Sequence, residues 1–539
     1  MAPTVKNLRS HLGRMIGQIG RGRGPAALVL VAACAYWIVY RIHTGICLED
    51  ALITYRYAEN LVEGSGFVFN RGEHVLGTTT PLQAVVLAGP AVVVGSDHIP
   101  VISNVFMMLC ALGTGILVYA TLLRVGYSRP LALTCLAVFV FHPDIVWSTV
   151  GGMETPLVLF LMSLGLYAAS VRSWGLIGLA CGLLMMARID GLIWWACLTL
   201  VVVVADKKAA AVALAVALAV LVPWIAFSTF YFGSPIPHSL LAKMHALGGS
   251  GLSDRLSAIE LSRYYRWFAD GSGVPPGGGM LPFEHMIWLG LVGLGGIGVI
   301  REHWRDTPMV LILFPLLYCA AFFLGGAPTT FEWYLIPFTW CCLILGVIGV
   351  RELWLMLVAY AREYAVPGWT PKVILAICLV MIGAGFLVSS RDSMRQNSLN
   401  QANENATRRR IGYWLRDHTS DDATVAMEAL GYQGALSKRK VYDLAGLISP
   451  EVLRIRRESE NNGQVYRRVI EELDPDYLVF RSFEVDEGIA RGGGAMFATD
   501  EERADFFSRY EVIHRYVAPY AELWGNNARL TLYGRRKEG

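Results

Sequence analysis

The sequence predicts a mainly α-helical protein that crosses a membrane many times and ends in a small α/β domain. Of the 539 residues, 54% are hydrophobic and only 17% are charged, whereas soluble domains carry closer to ~25% charged residues. The apolar runs stop near residue 390, and alternating strand and helix patterns take over from there. We therefore expect a transmembrane module over 1–390 and an α/β domain over 391–539.

The first span is predicted from the N-terminal segment, which has five basic and no acidic residues before an apolar run at 26–40. No small-residue cleavage site precedes Arg41, so the run predicts a retained helix with a cytoplasmic N-terminus rather than a signal peptide. Further runs lie at 102–124, 131–147, 156–171, 174–187, 192–205, 209–230, 286–300, 308–325, 335–350 and 371–390. Together they predict about eleven spans in the cell inner (plasma) membrane, with most loop Lys and Arg on the cytoplasmic side.

Two long polar loops, 41–100 and 232–285, are predicted on the extracytoplasmic side with the C-terminal domain. The first contains "PLQAVVLAGPAVVVG", which Pro90 interrupts, so it is expected to lie along the membrane or to re-enter it. The second contains "GSGVPPGGG". Because long loops in compact proteins are commonly functional or disordered, chemistry is expected on this face.

The C-terminal segment alternates between strand and helix patterns. Helices are predicted for "NQANENATRRRIGYWLRDHT", "SPEVLRIRRESEN" and "QVYRRVIEEL", and strands for "ATVAMEAL", "KRKVYDLAGL", "DYLVF", "YEVIHRYV" and "RLTLYGR". This pattern favours a small α/β domain on the extracytoplasmic side.

Composition also excludes some functions. A net charge of +3 is too small to indicate a nucleic-acid partner. All ten cysteines fall in or beside apolar segments, and no CxxC or Cys/His cluster occurs. They are expected to pack as small hydrophobic residues rather than to bind metal or form a disulfide framework.

Four acidic residues are predicted at the same membrane face although they are far apart in sequence: Glu49, Asp50, Glu154 and Asp190. A carboxylate near the interface could take a proton from an attacking hydroxyl if its pKa is tuned. The alternative is that they are solvated helix ends. The density of ionisable and aromatic residues in "EDALITYRYAEN" favours a functional role for Asp50.

Basic residues on this face are Arg56, Arg188 and Lys243. The positive-inside rule does not favour basic residues on the extracytoplasmic face. We therefore expect them to bind an anion, and a phosphate headgroup is the natural partner. The alternative is ion pairing with Glu59, Asp190 or lipid phosphate. His238 and His245 are weaker candidates, and Tyr334 belongs either to an interfacial aromatic belt with Glu332 and Trp333 or to a sugar-stacking surface.

The segment "EDALITYRYAENLVEGSGFVFNRGEHVLGTTTPL" (49–82) resembles the first outer loop of polytopic GT-C glycosyltransferases that use polyprenyl-phosphate sugars. It is most similar to the branch of the mycobacterial arabinofuranosyltransferases and related lipopolysaccharide and pilin sugar transferases. The segments "GGMETPL", "ARIDGL", "FGSPIPHSLLAK" and "WYLIP" agree in order and side. The chain departs from the family pattern at Glu49, where Asp is usual, at Ile189 for Pro and at His238 for Asn.

The resemblance implies a GT-C helical bundle that transfers one sugar from a polyprenyl-phosphate donor to a glycan or protein acceptor during cell-envelope biogenesis. It makes Asp50 the expected catalytic carboxylate and Glu154 a second acidic group, with Lys243 and Arg56 at the donor phosphate. Glu49, Arg188, Asp190, His238 and Tyr334 are expected to line the substrate site. The branch favours a furanose such as arabinose.

Two questions stay open at this point. Because phosphate is a good leaving group, Lys or Arg could replace a metal, although Glu49, Asp50 and Glu154 could bind a divalent cation. A relative that uses mannose or galacturonate, or a transporter of lipid-linked sugars, is the alternative function. A transporter would be expected to contain internal repeats, and the sequence shows none.

Overall fold

The computed structural model describes residues 23–247, 283–303, 306–325, 332–491 and 493–536. It shows a helical bundle followed by a domain with a five-stranded sheet. The basic N-terminal segment before Arg23, the "GSGVPPGGG" part of the second loop and residues 326–331 lie outside the described residues. So do the side chains of His245 and Glu332.

The helices follow one another closely along the chain. Before residue 248 they are α1 (Arg23–Thr44), α2 (Glu49–Val62), α3 (Pro81–Val94), α4 (Ile99–Arg124), α5 (Arg129–Phe141), α6 (Pro143–Gly151), α7 (Thr155–Ser170), α8 (Trp174–Ala187), α9 (Gly191–Ala205), α10 (Lys207–Phe232) and α11 (His238–Leu247). After residue 282 they are α12 (Phe283–His303), α13 (Val310–Gly325), α14 (Ile336–Glu363), α15 (Thr370–Ala406) and α16 (Arg408–His418). Every run predicted as a span lies on one of these helices or on a helix pair.

Five helical stretches of the described chain are long and apolar enough to cross a membrane, or six if α5 and α6 form one span. Several other helices are apolar but shorter, such as α7 and α8. The sequence predicted one helix over 131–147, and this is wrong because α5 and α6 meet at a 53° bend. The bend falls at His142, which is extended (φ −61°, ψ 131°), since a residue before proline avoids the helical region.

The bundle packs around large buried side chains and closely approaching helices. Trp37, Trp194 and Trp340 are fully buried in its core. α12 and α14 approach so closely that a Cβ on Gly349 would overlap the Leu291 carbonyl. Small residues at such crossings permit the backbone contact that stabilises helix pairs in membranes.

The C-terminal domain contains strands β1 (Thr424–Met427), β2 (Lys440–Asp443), β3 (Tyr477–Arg481), β4 (Tyr510–Val517) and β5 (Arg529–Arg535). Their order is β2-β1-β3-β5-β4, with β1 parallel to β2 and β3, and β5 antiparallel to β3 and β4. Helices α17 (Pro450–Arg457), α18 (Asn462–Leu473), α19 (Ser482–Asp486), α20 (Asp500–Arg509) and α21 (Ala521–Trp524) complete it. The predicted α/β domain is confirmed, and each predicted strand is present.

One helix joins the two parts of the chain. α15 runs without interruption through residue 390, where the sequence placed the domain boundary. Its last turns contact the start of α2, since the Cys47 amide donates to Gln401 Oε1 at 2.9 Å. The Tyr432 hydroxyl of the C-terminal domain donates to the Cys47 carbonyl at 2.8 Å. The C-terminal domain therefore holds the chain just before the Glu49–Asp50 pair.

Candidate active site

Asp50 lies in the first turn of α2, where the free backbone amides and the helix dipole favour a carboxylate. The preceding Leu48 amide donates to the Gly151 carbonyl at 3.0 Å, and this joins the start of α2 to the turn that carries Glu154. The two acidic segments, separated by about a hundred residues in sequence, are thereby held together by the backbone.

Partial burial changes the proton affinity of Asp50. Burial raises the pKa of its carboxyl to about 6, nearby Lys243 opposes the rise, and Glu49 and Glu154 add to it. Glu49 is the preceding residue on α2, whereas Lys243 comes from α11 and Glu154 from the turn before α7. A carboxyl with a pKa near 6 is ionised at neutral pH and still basic enough to take a proton.

A second cluster lies beside Asp50 and is built around Arg188. Its guanidinium is buried and binds Asp190 through two bonds, Nε to Oδ1 at 3.0 Å and Nη2 to Oδ2 at 2.6 Å. The remaining Nη1 donates to the Trp333 carbonyl at 3.0 Å. Tyr318 donates to Asp190 Oδ2 at 2.7 Å. This bidentate geometry fixes the planar guanidinium in one orientation.

Glu154 reaches the same cluster from the N-terminus of α7. Its Oε1 lies 3.8 Å from Arg188 Nη1, and only 8% of its side chain is exposed. Burial raises the pKa of the Glu154 carboxyl, with Arg188 opposing the rise. Glu154 therefore places a second proton-binding group near Asp50.

The Glu154 turn is fixed by polar residues that the sequence did not single out. The Gly152 carbonyl accepts hydrogen bonds from Gln83 Nε2 at 2.8 Å, from Ser103 Oγ at 3.2 Å and from the Tyr55 hydroxyl at 3.4 Å. Gly152 has φ +84°, which glycine adopts without strain. The only sequence signal was the glycine pair itself, because its three partners lie on α2, α3 and α4.

The ring of Tyr334 links the Arg188 cluster to Lys243. The Arg188 guanidinium carbon lies 4.6 Å from the ring centre, and Lys243 Nζ lies 5.9 Å from it. The Tyr318 hydroxyl also lies 2.5 Å from the Tyr334 carbonyl, so its single proton is shared between this carbonyl and Asp190. Tyr334 is thus held beside two cations, where its face attracts positive charge.

Three residues of the predicted site have other neighbours. Arg56 is buried and pairs with Glu59 at 2.9 Å, so it does not join the cluster. His238 faces the C-terminal domain, where burial and the charge of Arg457 lower its pKa.

The third residue, Glu49, pairs with the C-terminal segment of the chain. Its Oε2 lies 3.2 Å from Arg408 Nη1, a partner 359 positions away in the chain. Within the described residues, no group of three or more His, Cys, Asp and Glu side chains is arranged to hold a metal ion.

Three hydroxyl groups one turn beyond Asp50 were also not predicted from the sequence. Thr54, Thr78 and Thr80 are buried and lie within 3.0–3.4 Å of one another through their Oγ1 atoms. Thr54 follows Asp50 by four positions on α2, so both occupy one face of the helix. The Thr-rich turn at 78–80 was visible in sequence, but its pairing with α2 was not.

A protein family of unknown function matches the C-terminal part of the chain. Residues 395–533 match a family described as "Domain of unknown function (DUF8728)". No curated protein sequence matches the chain.

Solved structures resemble the chain over most of its length. ArnT from Cupriavidus metallidurans has a TM-score of 0.59 in the apo state, with 11% identity over 95% of this chain and 98% of that one. Its complex with undecaprenyl phosphate has a TM-score of 0.57, with 11% identity over 94% and 97%. The archaeal oligosaccharyltransferase AglB from Archaeoglobus fulgidus, in complex with an inhibitory peptide and a dolichol-phosphate, has a TM-score of 0.57, with 11% identity over 86% and 70%. The chain thus has the polytopic GT-C membrane fold that its sequence predicts.

Proposed function

We propose that this protein is a membrane glycosyltransferase that transfers a sugar from a polyprenyl-phosphate donor to an acceptor hydroxyl. The observation that supports it most strongly is the convergence of Asp50, Glu154 and Lys243 from three distant segments. This arrangement supplies a proton acceptor and a cation for a phosphate in one place. The structural relatives include proteins bound to undecaprenyl phosphate and to dolichol-phosphate, which is consistent with such a donor.

In the proposed reaction, Asp50 and Lys243 have separate roles. The acceptor hydroxyl attacks the anomeric carbon and forms the new C–O bond, while the bond from that carbon to the phosphate oxygen breaks. Asp50 takes the hydroxyl proton, and the electron pair of the broken bond leaves on the polyprenyl phosphate. Lys243 stabilises the added negative charge of that phosphate.

Arg188, although predicted as a substrate ligand, has a positioning role in this proposal. Two of its nitrogen atoms are engaged by Asp190 and a third by the Trp333 carbonyl. It therefore holds Glu154 and Tyr334 in place, and Tyr334 offers its ring to the sugar. Lys243 is the cation that we assign to the donor phosphate.

The sequence supports three finer assignments. Similarity to the arabinofuranosyltransferase branch favours a furanose donor such as arabinose, ahead of mannose or galacturonate. The distribution of basic loop residues favours the extracytoplasmic side of the plasma membrane for the site and the C-terminal domain. The acceptor is then a glycan or protein of the cell envelope.

Purified protein incubated with a panel of polyprenyl-phosphate sugars tests this proposal. We expect release or transfer of sugar from one donor, with polyprenyl phosphate as the second product. Movement of intact donor across vesicles without any consumption would instead establish a transporter of lipid-linked sugars. If the protein consumes only mannosyl or galacturonosyl donors, the proposed transfer reaction stands and the assignment of a furanose donor is wrong.

A further inference from the structure

The carboxyl ends of the neighbouring strands β1 and β3 lie at the centre of the C-terminal sheet, and we call the space beyond them the crevice. β2 and β3 lie on opposite sides of β1, and all three strands are parallel, so the chain reverses its direction of winding between β1 and β3. Open α/β sheets bind ligands at such a point, outside the carboxyl ends of the strands. The active site described above makes no use of this crevice.

One wall of the crevice consists of charged and amide side chains. Arg481 at the end of β3 is buried, and it donates from Nη1 to Glu428 Oε2 at 2.5 Å and from Nε to Asn527 Oδ1 at 2.6 Å. Arg491 binds the other oxygen of Glu428 at 2.6 Å. The side chains of Arg491 and Glu428 are 49% and 30% exposed, so the wall is open to a ligand.

The opposite wall belongs to the junction with the membrane module. Arg408 binds Glu404 at 2.6 Å and Glu49 at 3.2 Å. Its guanidinium carbon lies 4.9 Å from the ring centre of Trp524, which is half-buried. The Nε atom of Arg408 is buried and has no hydrogen-bond partner among the described residues.

The charges of the two walls interact. Against the effect of burial, the pKa of Glu428 is lowered by Arg481, Arg491 and, from the opposite wall, Arg408. The segment that carries Trp524 and Asn527 is anchored to α15, because the Tyr520 backbone amide and carbonyl both bond to Asn403.

The second wall of the crevice adjoins the proposed catalytic carboxylate along the chain. Glu49 forms part of this wall, and Asp50 is the next residue in the first turn of α2. Gly431, which follows β1, lies so close to Glu49 that a Cβ there would overlap the Glu49 backbone. The second wall is therefore continuous, along the first turn of α2, with the proposed catalytic carboxylate.

We propose that this crevice, defined by Glu428, Arg481, Arg491, Asn527, Arg408 and Trp524, binds the acceptor and that the acceptor is a neutral, hydroxyl-rich glycan. The inference rests on the proposed function and adds the site and chemical class of the acceptor. Glu49, Glu404, Glu428 and Glu484 face Arg408, Arg481 and Arg491, so charges of both signs nearly balance. Such a wall offers donors and acceptors to hydroxyls and gives little preference for an ionic ligand.

Two features favour a glycan over a peptide. The indole of Trp524 is an amphipathic ring of the kind that packs against the apolar face of a sugar. Peptides that bind sheets usually add along an open strand edge and bond to its backbone. Here β1 and β3 are interior strands, and the crevice presents their side chains instead.

The test measures transfer and binding with full-length Trp524→Ala and Arg491→Ala proteins. Matched controls are Trp414→Ala and Arg509→Ala, because Trp414 packs on Tyr477 at the other end of β3 and Arg509 pairs with Asp474 there. The probes are p-nitrophenyl disaccharides of arabinose, mannose and galactose and an uncharged peptide. Transfer to each probe, release of sugar from the donor without acceptor, and calorimetric binding of each probe are measured for all five proteins.

We expect Trp524→Ala to raise the KM for a disaccharide roughly tenfold, equivalent to about 1.4 kcal/mol, and to weaken its calorimetric binding equally. Sugar release without acceptor should fall far less, and both controls should match wild type. Equal effects of Trp524→Ala and Trp414→Ala, or use of the peptide in place of every disaccharide, would overturn the inference. If wild type consumes no donor, the proposed function fails, and the binding data still decide whether the crevice takes a glycan.

Discussion

Glu49 and Asp50 are consecutive residues that serve different parts of the molecule. Glu49 binds Arg408 of the C-terminal segment at 3.2 Å, whereas Asp50 faces Lys243 and Glu154 of the membrane module. One helical turn thus joins an interdomain ion pair to the proposed catalytic carboxylate. Where the resembling family has two aspartates, the longer side chain of Glu49 reaches the neighbouring domain.

Replacing Asp50 by Asn tests the proposed proton acceptor. We expect the rate of sugar transfer to fall about 10²–10⁴-fold, which is the usual contribution of a general base. Glu63→Gln is the matched control, because Glu63 follows α2 and forms an exposed pair with Arg71. Rates are measured as polyprenyl phosphate formed at saturating donor. If Asp50→Asn transfers sugar at the wild-type rate, Asp50 is not the general base.

The raised pKa of Asp50 predicts how the rate depends on pH. A general base works only when ionised, so transfer should be low below pH 6 and rise through an inflection near the pKa of about 6. Lys243→Met removes a positive charge that favours the carboxylate, so the inflection should move to higher pH. Glu154→Gln removes a negative charge that disfavours it, and the inflection should move to lower pH.

These shifts are read from pH profiles of kcat/KM for the three proteins, which report groups of the free enzyme. The opposite directions of the two shifts provide an internal control, since a general loss of structure would not produce them. Two variants that move the inflection the same way, or not at all, would contradict the electrostatic assignment.

The Arg188–Asp190 pair should show the behaviour of a buried ion pair. Arg188→Met leaves Asp190 and Glu154 without their cation, and we expect a loss of about 3–5 kcal/mol in the free energy of unfolding. The double variant Arg188→Met/Asp190→Leu should recover part of this loss because the unpaired carboxylate is gone. Thermal unfolding of the purified proteins at pH 7.5 gives both values. Equal stability of the single and double variants would argue against strong coupling.

Much of this architecture could be predicted from the sequence because it depends on local patterns. The apolar runs marked the helices, and the five strands of the C-terminal domain followed from short apolar segments between turns. Grouping acids and cations by membrane side also brought Asp50, Glu154, Arg188 and Lys243 near one another. These predictions needed only the order of segments and their alternation.

The parts that could not be predicted depend on pairings between distant segments. Arg408 lies in a polar helix that resembles any solvated surface, and nothing near it in sequence indicates Glu49. Tyr318 is one polar residue in an apolar run, and its bond to Asp190 becomes visible only when α13 lies beside α9. The bend at His142 was missed because apolar residues continue on both sides of Pro143.

Gly152 offers a test of how closely the Glu154 turn must be held. It has φ +84°, and an added Cβ would overlap the Tyr55 hydroxyl, whereas Gly64 has φ +78° and nothing within 4 Å of such a Cβ. Gly64→Ala should therefore cost only the backbone strain, about 1 kcal/mol in the free energy of unfolding. Gly152→Ala should cost about 1–3 kcal/mol more, since overpacking adds to the strain.

The same substitution should also affect chemistry, because the Gly152 carbonyl holds Gln83, Ser103 and Tyr55 around the turn that carries Glu154. We expect Gly152→Ala to lower kcat for sugar transfer and Gly64→Ala to leave it unchanged, both measured well below the unfolding temperature. Adding Tyr55→Phe to Gly152→Ala removes the overlapping oxygen and should restore part of the stability. If Gly152→Ala and Gly64→Ala prove equally stable and equally active, the three hydrogen bonds at Gly152 do not control the position of Glu154.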